Sequence, residues 1–282
     1  MTPKKFPPLI TPDVARRLLR GLNRVSLDLG LTTTTVSIEN GFVRFPDGIL
    51  VDRRDLIKIA EREDVVFFPE DGKFYSLAIS NGHYYKLAPT EGAPTLELDG
   101  VRMHRTRGTT PDVDAMRKVE TLGIRGGYVL DTCTGLGYSA ISSKEMGADR
   151  VVSIEIRHEI LRIAEMNPWS RELFEDHRIE VILGDSFNLI DALPHDFFDY
   201  AIHDPPRFAV AGELYSGAFY VKIFNALKDQ GRLFHYTGEP GSRSRGIDLR
   251  RGVSNRVREA GFTNISYHPH ILGITCEKSS RR

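Results

Sequence analysis

The feature that most restricts the fold is a change of period near residue 111. From there on, short continuous apolar runs alternate with helical stretches. Strands read at 128–132 (YVLDT), 150–156 (RVVSIEI), 179–185 (IEVILGD), 198–204 (FDYAIHD) and 231–238 (GRLFHYTG). Helices fall between them at about 138–147, 157–166, 187–193 and 213–228. Strands apolar on both faces and separated by helices call for a parallel sheet covered on both sides, because each parallel connection needs a crossover. FTNISYHP and ILGITCEK close the chain as a hairpin. The expected class is α/β, a doubly wound sheet.

Residues 25–104 have another texture. Short strands follow one another, and Asn40-Gly41, Asp47-Gly48, Asp71-Gly72, Asn81-Gly82 and Asp99-Gly100 supply hairpin turns. A helix is expected at 55–63, and another at 11–22 with Thr11 as N-cap and Pro12 in the first turn. The expected organisation is therefore a β-rich, mostly antiparallel accessory domain at 1–104 and an α/β domain at 105–282. With only Cys133 and Cys276, neither a disulfide framework nor a four-cysteine zinc site can form. No apolar run approaches the roughly 20 residues of a membrane span, and the first residues lack the apolar core of a secretion signal. No membrane association and a cytoplasmic location are expected. The zero net charge hides an uneven spread of +1 over 1–105, −7 over 106–240 and +6 over 241–282.

The acidic middle has a pattern. In DTCTGLG, Asp131 ends the first strand and Gly135 and Gly137 open the next helix. Ligands of doubly wound sheets lie beyond the carboxyl ends of the strands, where a missing Cβ admits them and free helix N–H groups point at them. Glu155 ends the second strand, where an acid can accept both hydroxyls of a ribose. Asp185 ends the third, suited to the amine of an adenine, and Asp204 the fourth, in HDPPRF. Such an acidic crevice fits a ligand with a cationic centre better than a pyrophosphate.

VLDTCTGLG, VVSIE, VILGD and HDPPR together resemble the first four motifs of class I S-adenosylmethionine (AdoMet)-dependent methyltransferases. The likeness covers roughly 105–282 and is greatest to a group of predicted archaeal methyltransferases sharing DTCTGLGYSA, NPWS and HDPPRFAVAGELYSGAFY. It implies a Rossmann-like seven-stranded sheet and AdoMet as cofactor. It places Asp131, Cys133, Gly135 and Gly137 at the methionine part, Glu155 at the ribose, and Ile156, Asp185 and Ser186 at the adenine. Cys133 stands where the usual motif has glycine.

The same resemblance puts the transferred group at HDPPRF. Asp204 and the Pro205 carbonyl would accept hydrogens from an attacking nitrogen, and Pro205 and Pro206 would fix an extended turn. Arg207 replaces the usual aromatic residue; Phe208 follows it. His203 and His235 fall on neighbouring strands, so either one is a candidate general base or a packing residue. As a metal pair they lack a third ligand, and no metal is expected. Tyr215 is a candidate for the substrate pocket. HDPPRF is also similar to RNA 5-methylcytosine enzymes, but the cysteine that chemistry needs after the fifth strand is absent. GELYSGAFYVKIFNAL is similar to polyamine aminopropyltransferases, whose Gly-Gly-Gly-Asp-Gly-type first motif is missing here.

Six arginines between 243 and 258 suit RNA phosphates or a solvated face, and Arg105 and Arg107, before the strands of the α/β domain, suit the cofactor carboxylate or the substrate. The expected activity is AdoMet-dependent methyl transfer to a nucleophile, with a nitrogen in RNA or tRNA as preferred acceptor. A protein side chain or a small-molecule amine stays open, as does the oligomeric state. The alternatives are aminopropyl transfer from decarboxylated AdoMet and an RNA-binding module on a decayed fold, against which the intact Glu155, Asp185 and Asp204 speak.

Overall fold

The computed structural model describes residues 6–39, 41–208, 210–238 and 249–280. The chain forms two compact units, 1–112 with 159–171, and 113–158 with 172–282.

The first unit carries small antiparallel sheets, the largest made from Ala78–Asn81, His83–Ala88, Thr95–Leu98 and Val101–Arg102. Asn40 of the expected Asn40-Gly41 turn lies outside the described residues, and Asp71-Gly72 and Asp99-Gly100 turn where the sequence places them. Asp71 and Gly72 have φ of 49° and 73°, and Asp99 and Gly100 have 48° and 79°. These left-handed pairs match the right-handed twist of the flanking strands. Thr11 caps the helix Pro12–Leu19, accepting from the Val14 N–H at 3.2 Å. The helix buries Val14, Ala15 and Leu18 in a core with Val43, Phe45, Val51, Leu56 and Ile59. The excursion 159–171 joins this unit through Trp169, whose indole N–H donates to the Leu29 carbonyl at 3.0 Å.

In the second unit the strands are β1 (Tyr128–Asp131), β2 (Arg150–Glu155), β3 (Ile179–Leu183), β4 (Phe198–His203), β5 (Leu227–Tyr236), β6 (Phe262–His268) and β7 (Gly273–Lys278). They form one seven-stranded sheet in the order β3-β2-β1-β4-β5-β7-β6, with β7 antiparallel to its neighbours and the other pairings parallel. The strand order reverses between β1 and β4, which makes their carboxyl ends the natural ligand crevice. The helices used below are α1 (Pro111–Glu120), α2 (Tyr138–Glu145), α3 (Ser186–Leu189), α4 (Gly217–Ala226) and α5 (Leu249–Glu259). α4 buries Phe219, Tyr220 and Ile223, and α5 buries Val253 and Val257, in one core with Leu130, Ile154, Ala201 and Leu233. Among the described residues no helix is long and apolar enough to cross a membrane.

Two local readings change. The expected helix at 213–228 is broken: a 3-10 turn covers Gly212–Tyr215, and Ser216 then caps α4 by accepting from the Phe219 N–H. β5 starts at Leu227, earlier than the sequence pattern shows, because Leu227 pairs with Phe198 before the register shifts.

Candidate active site

The crevice is built from the carboxyl ends of β1 to β4 in the second unit. Each end carries an acid, and each acid has a different set of partners.

Asp131 is buried. One carboxylate oxygen accepts from the Ser139 and Ser153 hydroxyls at 2.8 and 3.0 Å, and the other accepts from the Cys133 N–H at 3.4 Å. Ser153 meets Thr134 at 2.7 Å, so Asp131 pins the loop after β1. Burial pushes its carboxyl up to about 7, against the pull of the two serines. Burial and the carboxylates of Glu155 and Asp131 likewise push the half-buried Cys133 thiol well up, which keeps it neutral.

The loop glycines have internal reasons. Gly135 and Gly137 have φ of 55° and 82°. A Cβ on Gly137 would lie 2.6 Å from a Leu173 methyl. Gly137 is therefore required by its own backbone and by Leu173, where the sequence suggested ligand approach. The Gly135 N–H donates to Glu155 at 2.9 Å, and the Arg157 N–H donates to the other oxygen at 3.0 Å. Burial raises the Glu155 carboxyl to about 7, against those backbone donors. With the Ile156 N–H as a third backbone donor, the carboxylate still keeps acceptor capacity for a hydroxyl. Beside Glu155, Ile156 is 56% exposed, and Leu183, which pairs in register with Glu155, is 51% exposed. Two large apolar side chains left open at strand ends fit a planar, apolar ligand face.

Asp185 is the N-cap of α3. It accepts from the Phe187 N–H at 2.9 Å and the Asn188 amide at 2.6 Å. Ser186 is buried and donates to the Thr132 carbonyl at 2.5 Å, so its hydroxyl turns inward.

Asp204 differs from the other three. One oxygen holds the Lys118 ammonium at 2.6 Å, and Lys118 also meets Asp114 at 2.7 Å and lies 4.5 Å from the centre of the Tyr236 ring. Burial works against this ammonium, but the two carboxylates outweigh it and raise its pKa. The other Asp204 oxygen makes no hydrogen bond among the described residues. Lys118 escaped the sequence reading. The signal was there: Thr110-Pro111-Asp112 opens a helix, and Asp114 and Lys118 are an i, i+4 pair on its apolar stripe with Ala115 and Val119.

Pro205 is buried, and the Pro206 carbonyl accepts from the Tyr215 hydroxyl at 2.9 Å. Arg207 is exposed. Phe208 is 47% exposed and meets the Tyr215 ring edge-on at 5.5 Å. Tyr215 itself is buried, and burial with the Asp204 charge raises its phenol pKa.

The candidate bases are locked. His203 Nε2–H donates to the Leu214 carbonyl at 2.9 Å, which leaves Nδ1 to accept from the Thr132 hydroxyl at 2.7 Å. Burial lowers its pKa to about 3. His235 Nδ1–H donates to the His203 carbonyl at 3.3 Å, and its Nε2 accepts from Tyr220 at 2.9 Å. The ring centres lie 4.4 Å apart with the planes tilted by 50°, and both nitrogens of each ring are engaged, so neither has a nitrogen free to act as a base.

Of the basic residues, Arg105 and Arg107 belong to the first unit. Arg243 and Arg245 lie outside the described residues. On α5, Arg250 and Arg251 are exposed, while Arg256 Nε–H donates to the Tyr215 carbonyl at 2.8 Å. Among the described residues no cluster of metal-ligating side chains occurs.

No family model matches the chain. Solved structures of spermidine synthase, one in complex with the transition state analogue AdoDATO and one from Thermotoga maritima, share its fold at 16% identity. Both have a TM-score of 0.55 over 72% of this chain and 72% and 71% of theirs. Polyamine aminopropyltransferase 2 of Streptomyces coelicolor is 31% identical over 127 residues, 43% of this chain and 22% of that one. The uncharacterized protein MJ1233 of Methanocaldococcus jannaschii is 43% identical over 277 residues, 95% of both chains. An alignment of that extent means that this α/β protein belongs to the same family as MJ1233.

Proposed function

We propose that the second unit binds AdoMet across the ends of β1, β2 and β3 and directs its methyl group to a nitrogen held at Asp204. The observation that carries this is the inequality of the four strand-end acids. Asp131 and Asp185 are engaged by internal donors. Glu155 is held by backbone N–H groups with acceptor capacity to spare, and Asp204 presents an oxygen without a hydrogen bond among the described residues. Glu155 accepts the ribose hydroxyls, and Ile156 and Leu183 cover the adenine. When bound, AdoMet supplies a methyl group on a positively charged sulfur, and transfer leaves a neutral thioether. Asp204 accepts a hydrogen bond from the attacking N–H and takes its proton as the new bond forms. The chain contributes alignment more than acid catalysis. The acceptor we favour is RNA, with the exposed Arg250 and Arg251 on phosphates.

Aminopropyl transfer is the second reading, favoured by the 127-residue match to an aminopropyltransferase. Calorimetric titration with AdoMet, S-adenosylhomocysteine and decarboxylated AdoMet separates the two. Binding of AdoMet, lost in Glu155→Ala, is expected. Preference for the decarboxylated form supports the second reading, and binding of none of the three ends both.

A further inference from the structure

We propose that Lys118 makes the acceptor end of the crevice selective for an uncharged, planar nitrogen and excludes cationic amines. This rests on the methyl-transfer reading and extends it to the charge of the acceptor.

An acceptor that arrives as an ammonium needs an unpaired carboxylate. Asp204 does not offer one. The Lys118 ammonium already sits 2.6 Å from one of its oxygens, and it is 5% exposed, wedged against Asp114 and the Tyr236 ring. An acid, a second acid and an aromatic face are the groups that would cage a substrate cation, and here the protein's own lysine fills that cage. Asp131 and Glu155 add little, because hydroxyl and backbone donors engage them and burial favours their neutral forms. A polyamine would find Asp204 already paired and would meet Lys118 as a like charge in a site of low dielectric.

What is left at Asp204 is one hydrogen-bond acceptor. Phe208 is open to solvent four residues on, with Tyr215 against its ring. That pairing suits an N–H on a flat, neutral group, one edge on the carboxylate and one face on the phenyl ring. In the transfer, the nitrogen lone pair forms the N–CH3 bond and the S–CH3 electron pair goes to sulfur. The nitrogen's proton leaves to Asp204 and then to water.

The test uses the full chain saturated with sinefungin, an AdoMet analogue whose amine carries the positive charge, and titrates spermidine as a cationic probe. The wild-type complex is expected to bind spermidine no tighter than about 1 mM. Lys118→Met is expected to bind it at least tenfold tighter, and Lys118→Met with Asp204→Asn should lose that gain. Asp114→Asn with Lys118→Met removes the buried carboxylate that also held the ammonium and leaves Asp204 unpaired. It should keep the gain, and it serves where the single variant folds poorly. Micromolar spermidine binding by the wild-type complex, or no gain in either lysine variant, overturns the proposal. Failure of sinefungin itself to bind overturns the cofactor reading instead.

Discussion

Removal of the Lys118 side-chain charge gives the sharpest test of how the site is held. In Lys118→Met the volume is nearly kept, but Asp114, 2% exposed and 2.7 Å from the ammonium, loses its cation. Asp204 is less affected, because its side chain is 27% exposed. Taking one partner from a buried ion pair costs about 3–5 kcal/mol, since the carboxylate that remains loses the ammonium that offset its burial. At about 1.4 kcal/mol per tenfold, that is roughly two to four decades in an opening equilibrium. Peptide-resolved hydrogen exchange reads it directly in the amides of β1 and β4, whose protection should fall by that factor. Asp114→Asn with Lys118→Met removes both charges and should recover most of the protection. If the single variant loses less than a decade, the ammonium is not buried between two carboxylates. If the double variant is as unstable as the single, the cost lies in packing and the electrostatic account fails.

Two further outcomes follow from the same geometry. Glu155 holds its proton more tightly folded than unfolded, so its folded-state advantage is present at low pH and is lost as pH rises from about 4.5 towards about 7. The melting temperature of Glu155→Gln relative to wild type should therefore climb between pH 5 and pH 8, and a falling difference would refute the assignment. The buried neutral His203 and His235 act in the opposite direction, but they are common to both proteins and cancel in the comparison. Gly137→Ala should destabilise by more than about 1 kcal/mol, because φ is 82° and the new methyl would fall 2.6 Å from Leu173. Leu173→Ala in the same chain should return the steric part but not the backbone part, a non-additivity that denaturant titration of the four proteins measures.

The fold was legible because its signals are local. Apolar runs of four to eight residues between helical stretches are enough to demand a parallel sheet, and turns such as Asp71-Gly72 and Asp99-Gly100 announce themselves by residue type. What escaped the sequence is non-local. Lys118 reaches an acid 86 positions away, from a helix that precedes the first strand and whose charged pair was hidden among apolar residues. Gly137 looked like a ligand contact because nothing in DTCTGLG points to Leu173. His203 looked like a base because its position after a strand does not reveal that Leu214 and Thr132 hold both ring nitrogens.

From the sequence the four strand-end acids look alike, each a carboxylate where a ligand would lie. The fold gives them unlike partners: hydroxyls for Asp131, a helix N-terminus for Asp185, loop N–H groups for Glu155 and an ammonium for Asp204. Since a buried carboxylate is tolerated only with such partners, partner type sorts the acids into those that build the crevice and those left to meet a ligand. An acid that satisfies its own fold through backbone donors can still take hydroxyls. One tied to an ammonium can still accept a neutral N–H but has no charge left for a cation. On the methyl-transfer proposal, the choice of acceptor is set by a lysine outside every recognisable motif, a contact that motif resemblance could not reveal.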